Sequence, residues 1–321
     1  MAADLFLRVF TETFLVISQI AIVVAGAWFL AARGVIKQDL VKGLSDVTVV
    51  VFLPCLMFSN IIDTLKPAEQ PLWWMVPLVS FVIFIGTTLL AALAFAGESF
   101  RKNRDLIPLA AMQNAAYLVL PIGQALVPQD FDRFALYCFL YVLAHNPLLW
   151  SIGKFFNTSS TGRPFAWGDL VTPPFIANLT AVLLVLIGAR AWIPVPVKGA
   201  LGLVGSATIP VSLVVLGATL GGMAHRFRFH MSDAIRTLGV KLVVIPLVLV
   251  LILSATTLKQ TDPTLALLLV LQAASAPAMN IILQIHTYGG NLERTGTIMV
   301  LGYVAALFTI PAWVAVWQVM G

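Results

Sequence analysis

The chain has 321 residues, 60% of them hydrophobic and only 10% charged, with a formal net charge of +5 and a mean hydropathy of +0.97. A soluble globule is about a quarter charged, so the composition excludes one and places the chain in a membrane. The positive surplus then belongs to loops facing lipid headgroups and implies no nucleic-acid partner.

Taking about 20 apolar residues as one span, ten spans are predicted, at 14–32, 44–62, 72–96, 106–127, 134–156, 171–189, 201–221, 234–257, 263–286 and 296–319. The N-terminus, MAADLFLRVFTETF, lacks the charged, apolar and cleavable order of a signal peptide, so the first span is expected to stay. Five spans fall in residues 1–156 and five in 171–321, joined by a linker at 157–170. Five is odd, so the second half enters from the opposite face. The expectation is an all-α polytopic membrane protein built as two inverted five-helix repeats. Both cysteines, Cys55 and Cys138, lie in spans and read as small buried hydrophobes.

Spans 4 and 9 depart from a plain apolar pattern. Residues 111–127, AMQNAAYLVLPIGQALV, carry Pro121 with Gln113, Asn114, Tyr117 and Gln124 around it. Residues 267–285 carry Pro277 with Gln272, Ser275, Asn280 and Gln284. Proline breaks or kinks a helix, and a break at mid-depth is tolerated only where protein or a watery cavity covers the freed backbone. Pro121 and Pro277 are 156 residues apart, as are Pro54 and Pro210, and as are the Val-Lys-Gly tripeptides beginning at Val41 and Val197. Matched interrupted spans in two halves point to a transporter's binding site. The expectation is that each second half-helix begins at its proline. The amides of Ile122, Gly123 and Gln124, and of Ala278, Met279 and Asn280, would then face an anionic group. Asn280 and Gln124 would be equivalent.

Orientation follows the lysines and arginines. Loops after odd-numbered spans carry Arg33, Lys37, Lys42, Arg101, Lys102, Arg104, Lys154, Arg163, Arg226, Arg228, Arg236 and Arg294, against Arg8, Lys66, Arg133, Arg190, Lys198 and Lys259 on the other face. The two-to-one bias puts the odd loops in the cytoplasm and both termini outside.

Other polar groups are candidates of lesser weight. Asp63 follows Ser59 and Asn60 at the end of span 2, as a proton-linked or substrate-relay site. His145 in span 5 is an intramembrane ionisable group. His286 reads as a solvated span end, Lys241 as a snorkelling side chain, and His225 and His230 as part of a basic anchor loop. Gly217, Gly221 and Gly222 permit close helix contact, so spans 2 and 7 are expected to form a scaffold or a dimer face. Neither a nucleophile–base constellation nor a metal-ligand cluster is apparent, so no enzyme, metal or cofactor is expected.

VFLPCLMFSNI in span 2, NAAYLVLP in span 4, ATIPVSLVVLGATL in span 7, SAPAMNIILQIHTYGGN in span 9 and FTIPAWVAV in span 10 resemble the auxin efflux carrier family, the PIN-like transporters. The resemblance covers nearly the whole chain. It implies the bile acid–sodium symporter (NhaA-like) fold, with broken helices 4 and 9 crossing. Helices 1, 2, 6 and 7 would form a dimeric scaffold, and helices 3–5 and 8–10 a transport domain moving as an elevator. Substrates would be small organic anions. By the same resemblance Asn114 and Pro121, with Pro277 and Asn280, take the substrate-site role, and Asp63 maps less securely onto an accessory site. The long central loop of the plant carriers is absent. The acidic residue on which the related symporters' sodium site relies is also missing, since residues 111–127 and 267–286 contain no Asp or Glu. The reading is therefore an efflux carrier for small carboxylates in a bacterial inner membrane. Its rival is a sodium-coupled importer of the bile acid symporter type.

Overall fold

The computed structural model describes residues 2–96, 103–157, 171–223, 231–288 and 291–320. Most of the predicted linker (158–170), and Arg101, Lys102, Arg163, His225, Arg226, Arg228, His230 and the side chain of His286, lie outside the described residues.

The described residues are helical throughout, with one isolated β-bridge. Seven helices are long and apolar enough to cross a membrane. They are α1 (Ala2–Ala32), α2 (Gln38–Thr64), α3 (Met75–Ala94), α6 (Pro128–Asn157), α8 (Val195–Met223), α9 (Met231–Ser254) and α12 (Leu292–Met320). The apolar helix α7 (Pro173–Leu186) is shorter. The predicted spans 4 and 9 are each split, into α4 (Leu106–Ala111) and α5 (Val119–Leu126), and into α10 (Pro263–Ala274) and α11 (Asn280–Tyr288). Large apolar side chains such as Ile22, Val82, Leu93 and Leu203 point outward with two thirds or more of their surface exposed. A water-facing surface does not tolerate such a continuous band.

Two of the prolines inside spans widen the helix just before them. Pro54 and Pro246 each follow a π-helical turn, Thr48–Phe52 and Val240–Val244. Each proline denies an N–H to the carbonyl four residues back, and widening the turn relieves the ring clash. The carbonyl of Leu242, freed by Pro246, accepts the Trp313 indole N–H at 2.7 Å. In a bilayer such a group has no water to turn to.

α1 packs on α8, α8 on α2 and α2 on α7, and α3 packs on α6. Gly217 and Gly221 are what let α8 lie close on α1. A Cβ at Gly217 would sit 2.2 Å from the Val24 carbonyl oxygen, and one at Gly221 2.4 Å from that of Trp28. These glycines of span 7 therefore serve a contact inside the protomer. α1 also runs along α12, where Phe14 stacks on Phe308 with centroids 5.6 Å apart.

Candidate functional site

Pro277 cannot donate a backbone hydrogen bond, and the residues before it are driven from helical to extended geometry. α10 accordingly stops at Ala274, and Ser275 is extended (φ −63°, ψ 147°). α4 stops at Ala111, and Met112 is extended as well (φ −92°, ψ 129°). The two unwound stretches meet antiparallel, with Gln113 opposite Pro277. The Asn114 N–H donates to the Ala276 carbonyl at 2.9 Å, and the Ala278 N–H to the Met112 carbonyl at 3.0 Å. Each broken helix satisfies backbone that the other leaves open.

Side chains complete the crossover. The Ser275 hydroxyl donates to the Asn114 carbonyl at 3.1 Å. The Asn114 amide donates to the Tyr303 hydroxyl at 2.6 Å, and that hydroxyl donates to the Pro277 carbonyl at 3.2 Å. The Gln272 amide and the Cys138 thiol both reach the Ala115 carbonyl, at 2.9 and 3.1 Å. Asn114, Gln272, Ser275 and Pro277 thus come together as expected from the sequence, and all but Pro277 spend polar groups on holding the crossing. Tyr303, on α12, binds both strands of it and was not singled out from the sequence.

Pro121, Gly123 and Gln124 do not join them. α5 begins at Val119, so Pro121 lies in its first turn, and the break precedes that proline by several residues. The Ile122 amide is already bonded to the Leu118 carbonyl at 3.4 Å and is not free for a ligand. Gly123 is a packing glycine, since a Cβ there would meet the Phe134 ring at 2.0 Å. The helices cross at Gln113 and Pro277, not at the two prolines.

Two cavities flank the crossover toward opposite ends of α2 and α8. The larger, about 490 Å³, is lined by Tyr117, Met279 and Asn280, with Lys42 and Asp46 from the first half of α2 and Thr219 from the second half of α8. Residue 280 is the first of α11, and the amides of Met279 and Asn280 make no hydrogen bond among the described residues. The smaller, about 290 Å³, is lined by Asn60, Asp63 and Gln124, with Asp132, Gly205 and Ser206. There the Asn60 amide donates to the Asp132 carbonyl at 3.1 Å, and Lys198 lies 3.7 Å from the Asp63 carboxylate. Gln124 therefore belongs with Asn60 and Asp63. His145 lines neither cavity and is buried, as is Lys241, which does not snorkel.

The membrane transport protein family model matches the chain over residues 13–164 and 158–314. The chain belongs to this family. The resemblance to the auxin efflux carriers is borne out by that membership, and the protein is a membrane transporter. The carrier is also similar to the uncharacterized transporter MJ1031 of Methanocaldococcus jannaschii, with 22% identity over 214 residues, 65% of this chain and 69% of the relative.

Proposed function

We propose that the carrier is a secondary transporter that moves small organic anions by alternating access, with efflux as its direction. The observation that carries this reading is the pair of broken helices crossed at Gln113 and Pro277, with a cavity on each side. The free amides of Met279 and Asn280, at the start of α11, face a carboxylate with the positive end of the helix dipole. Lys42 lines the same cavity together with the carboxylates Asp46 and Glu293, and Tyr117 and Met279 supply an apolar wall. The anion reading therefore rests on the helix-start amides and Lys42, with Asp46 and Glu293 opposing it elsewhere in the lining.

In this reading the fold is a ten-helix inverted repeat, with each broken pair counted as one helix. α1, α2, α7 and α8 form the scaffold and a homodimer contact. The remaining helices carry the crossover as an elevator. The loop charges put the 490 Å³ cavity at the cytoplasmic face of the inner membrane and the 290 Å³ cavity outside, with both termini outside. Asn60, Asp63 and Gln124 then meet the substrate on its exit path.

The test is thermal stabilisation of the purified carrier by a panel of small carboxylates, including indole-3-acetate, with and without sodium. A ligand that binds the folded state raises its stability by mass action. The expected outcome is stabilisation that is independent of sodium and weakened in Lys42→Gln. Stabilisation that requires sodium favours the importer instead, and a silent panel removes the anion reading.

A further inference from the structure

The larger cavity carries a charge pattern that a plain carboxylate leaves half used. On the first half of α2, Gln38, Val41, Lys42, Ser45 and Asp46 all line it. Their spacing puts them on one face of the helix. Lys42 and Asp46 are one turn apart, which brings their Cβ atoms to about 5–6 Å of each other. Both residues are exposed, and none of the ion pairs among the described residues involves either of them. Glu293 on α12 lines the same cavity but interacts with another group, so Asp46 is the open carboxylate.

A structural pairing does not account for Asp46. A cation one turn before an acid is the weaker order of a helical ion pair, and here the pair is not formed. Asp46 lies in the third turn of α2, too far from the start to serve the helix dipole. Its carboxylate can only accept hydrogen bonds, and it repels a ligand that brings negative charge alone. A ligand that also brings a positive group turns the repulsion into attraction. A free metal cation would answer Asp46 less well. Hard cations take about six or more oxygen ligands, and no group of three or more His, Cys, Asp or Glu that could hold a metal ion occurs among the described residues. A positive group joined covalently to the carboxylate is held in place by Lys42 and the helix-start amides as well.

We propose that the substrate is a zwitterionic amino acid. Its carboxylate meets the amides of Met279 and Asn280 and the Lys42 ammonium, and its own ammonium meets Asp46. The proposal rests on the reading of this cavity as the substrate site. Tyr117 and Met279 face the amino acid's side chain, and a volume of about 490 Å³ admits a large one. Lys42 selects for the carboxylate, and Asp46 selects against a carboxylate that lacks the amine.

The experiment is thermal stabilisation of the purified carrier by matched acids that differ only in the amine, at neutral pH in sodium-free buffer. Alanine is set against propionate, and phenylalanine against phenylpropionate. Each amino acid should stabilise at several-fold lower concentration than its amine-free partner. Asp46→Asn should remove that preference and leave the amine-free acids bound at least as well, which a general loss of structure would not do. Lys42→Gln should weaken both members of each pair. Equal stabilisation within the pairs, or a preference for the amine-free acid, overturns the ammonium site and leaves the carboxylate reading standing. A preference that survives Asp46→Asn unchanged also overturns it. Silence from both members of every pair overturns the proposal and the carboxylate reading together.

Discussion

Arg133 and Arg294 do the same work in the two halves of the chain. Arg133 is the third residue of the α-helical stretch that begins at Phe131, and Arg294 is the third of α12. Arg133 binds Asp262 at 2.8 Å, and Asp262 is the N-cap of α10. Arg294 lies 3.6 Å from Asp105, the N-cap residue of α4. Each arginine therefore holds the start of the other half's broken helix. The two ion pairs clip the crossed helices together from both ends.

The clips differ in burial, and so should their weight. Arg294 is 9% exposed and also binds Asp233 at 2.8 Å and Asn103 at 2.8 Å. Removing its charge strands buried carboxylates, and breaking a buried pair costs on the order of 3–5 kcal/mol. Arg133 is 39% exposed, so its pair is screened and worth about 1 kcal/mol or less. Arg294→Gln should lower Tm much more than Arg133→Gln in the same detergent. Equal shifts would mean that burial does not set the strength of the clips.

Asp105 adds a pH dependence of predictable sign. Burial pushes its carboxyl above the ordinary 3.8, and the Arg294 charge only partly offsets this. The folded state then holds the proton more tightly than the unfolded state. The contribution to stability is greatest at low pH and is lost as pH rises from 3.8 through the raised folded value. Asp105→Asn should flatten that part of the curve of Tm against pH. Arg294→Gln should extend the loss to higher pH, because the offsetting charge is gone. A curve unchanged by Asp105→Asn would exclude this carboxyl as its source.

Tyr303 tests what the Asn114 amide is for. Its hydroxyl accepts from Asn114 and donates to the Pro277 carbonyl, so Tyr303→Phe leaves two buried groups unpartnered. Each such group costs about 1–3 kcal/mol. Tyr303→Phe should therefore lower Tm by several degrees, and Asn114→Ala by a similar amount. The double variant should lose less than the sum, since both remove one hydrogen bond. Strict additivity would show that the two side chains act apart.

The difference between what the sequence yields and what folding adds is clearest at the crossover. The break before Pro277 is legible because a proline dictates it. The break at Met112 has no proline or glycine to announce it. It exists because residues 112–114 find partners at 276–278, far along the chain. Tyr303 and Arg294 escape sequence reading for the same reason, since their partners lie 189 and 191 residues away. Apolar length and composition mark the chain as a polytopic membrane protein, which the seven long apolar helices and the family membership bear out. They are wrong about Lys241, because the same residue pattern serves a snorkelling lysine and one turned toward the protein interior.

The cavities make the last prediction, which concerns sidedness. Asp46 lines the larger cavity and Asp63 the smaller, at opposite ends of α2. Of the two native cysteines, Cys138 is buried and Cys55 partly so, and both are first replaced by serine. A membrane-impermeant maleimide should then label Asp63→Cys in intact cells, and Asp46→Cys only in inside-out vesicles. A transported carboxylate should slow labelling at Asp46→Cys, where it competes for the cavity, and change it at Asp63→Cys only as the outward-facing population shifts. Labelling of both from one side would mean that the two cavities open to the same face, and alternating access across the crossover would have to be abandoned.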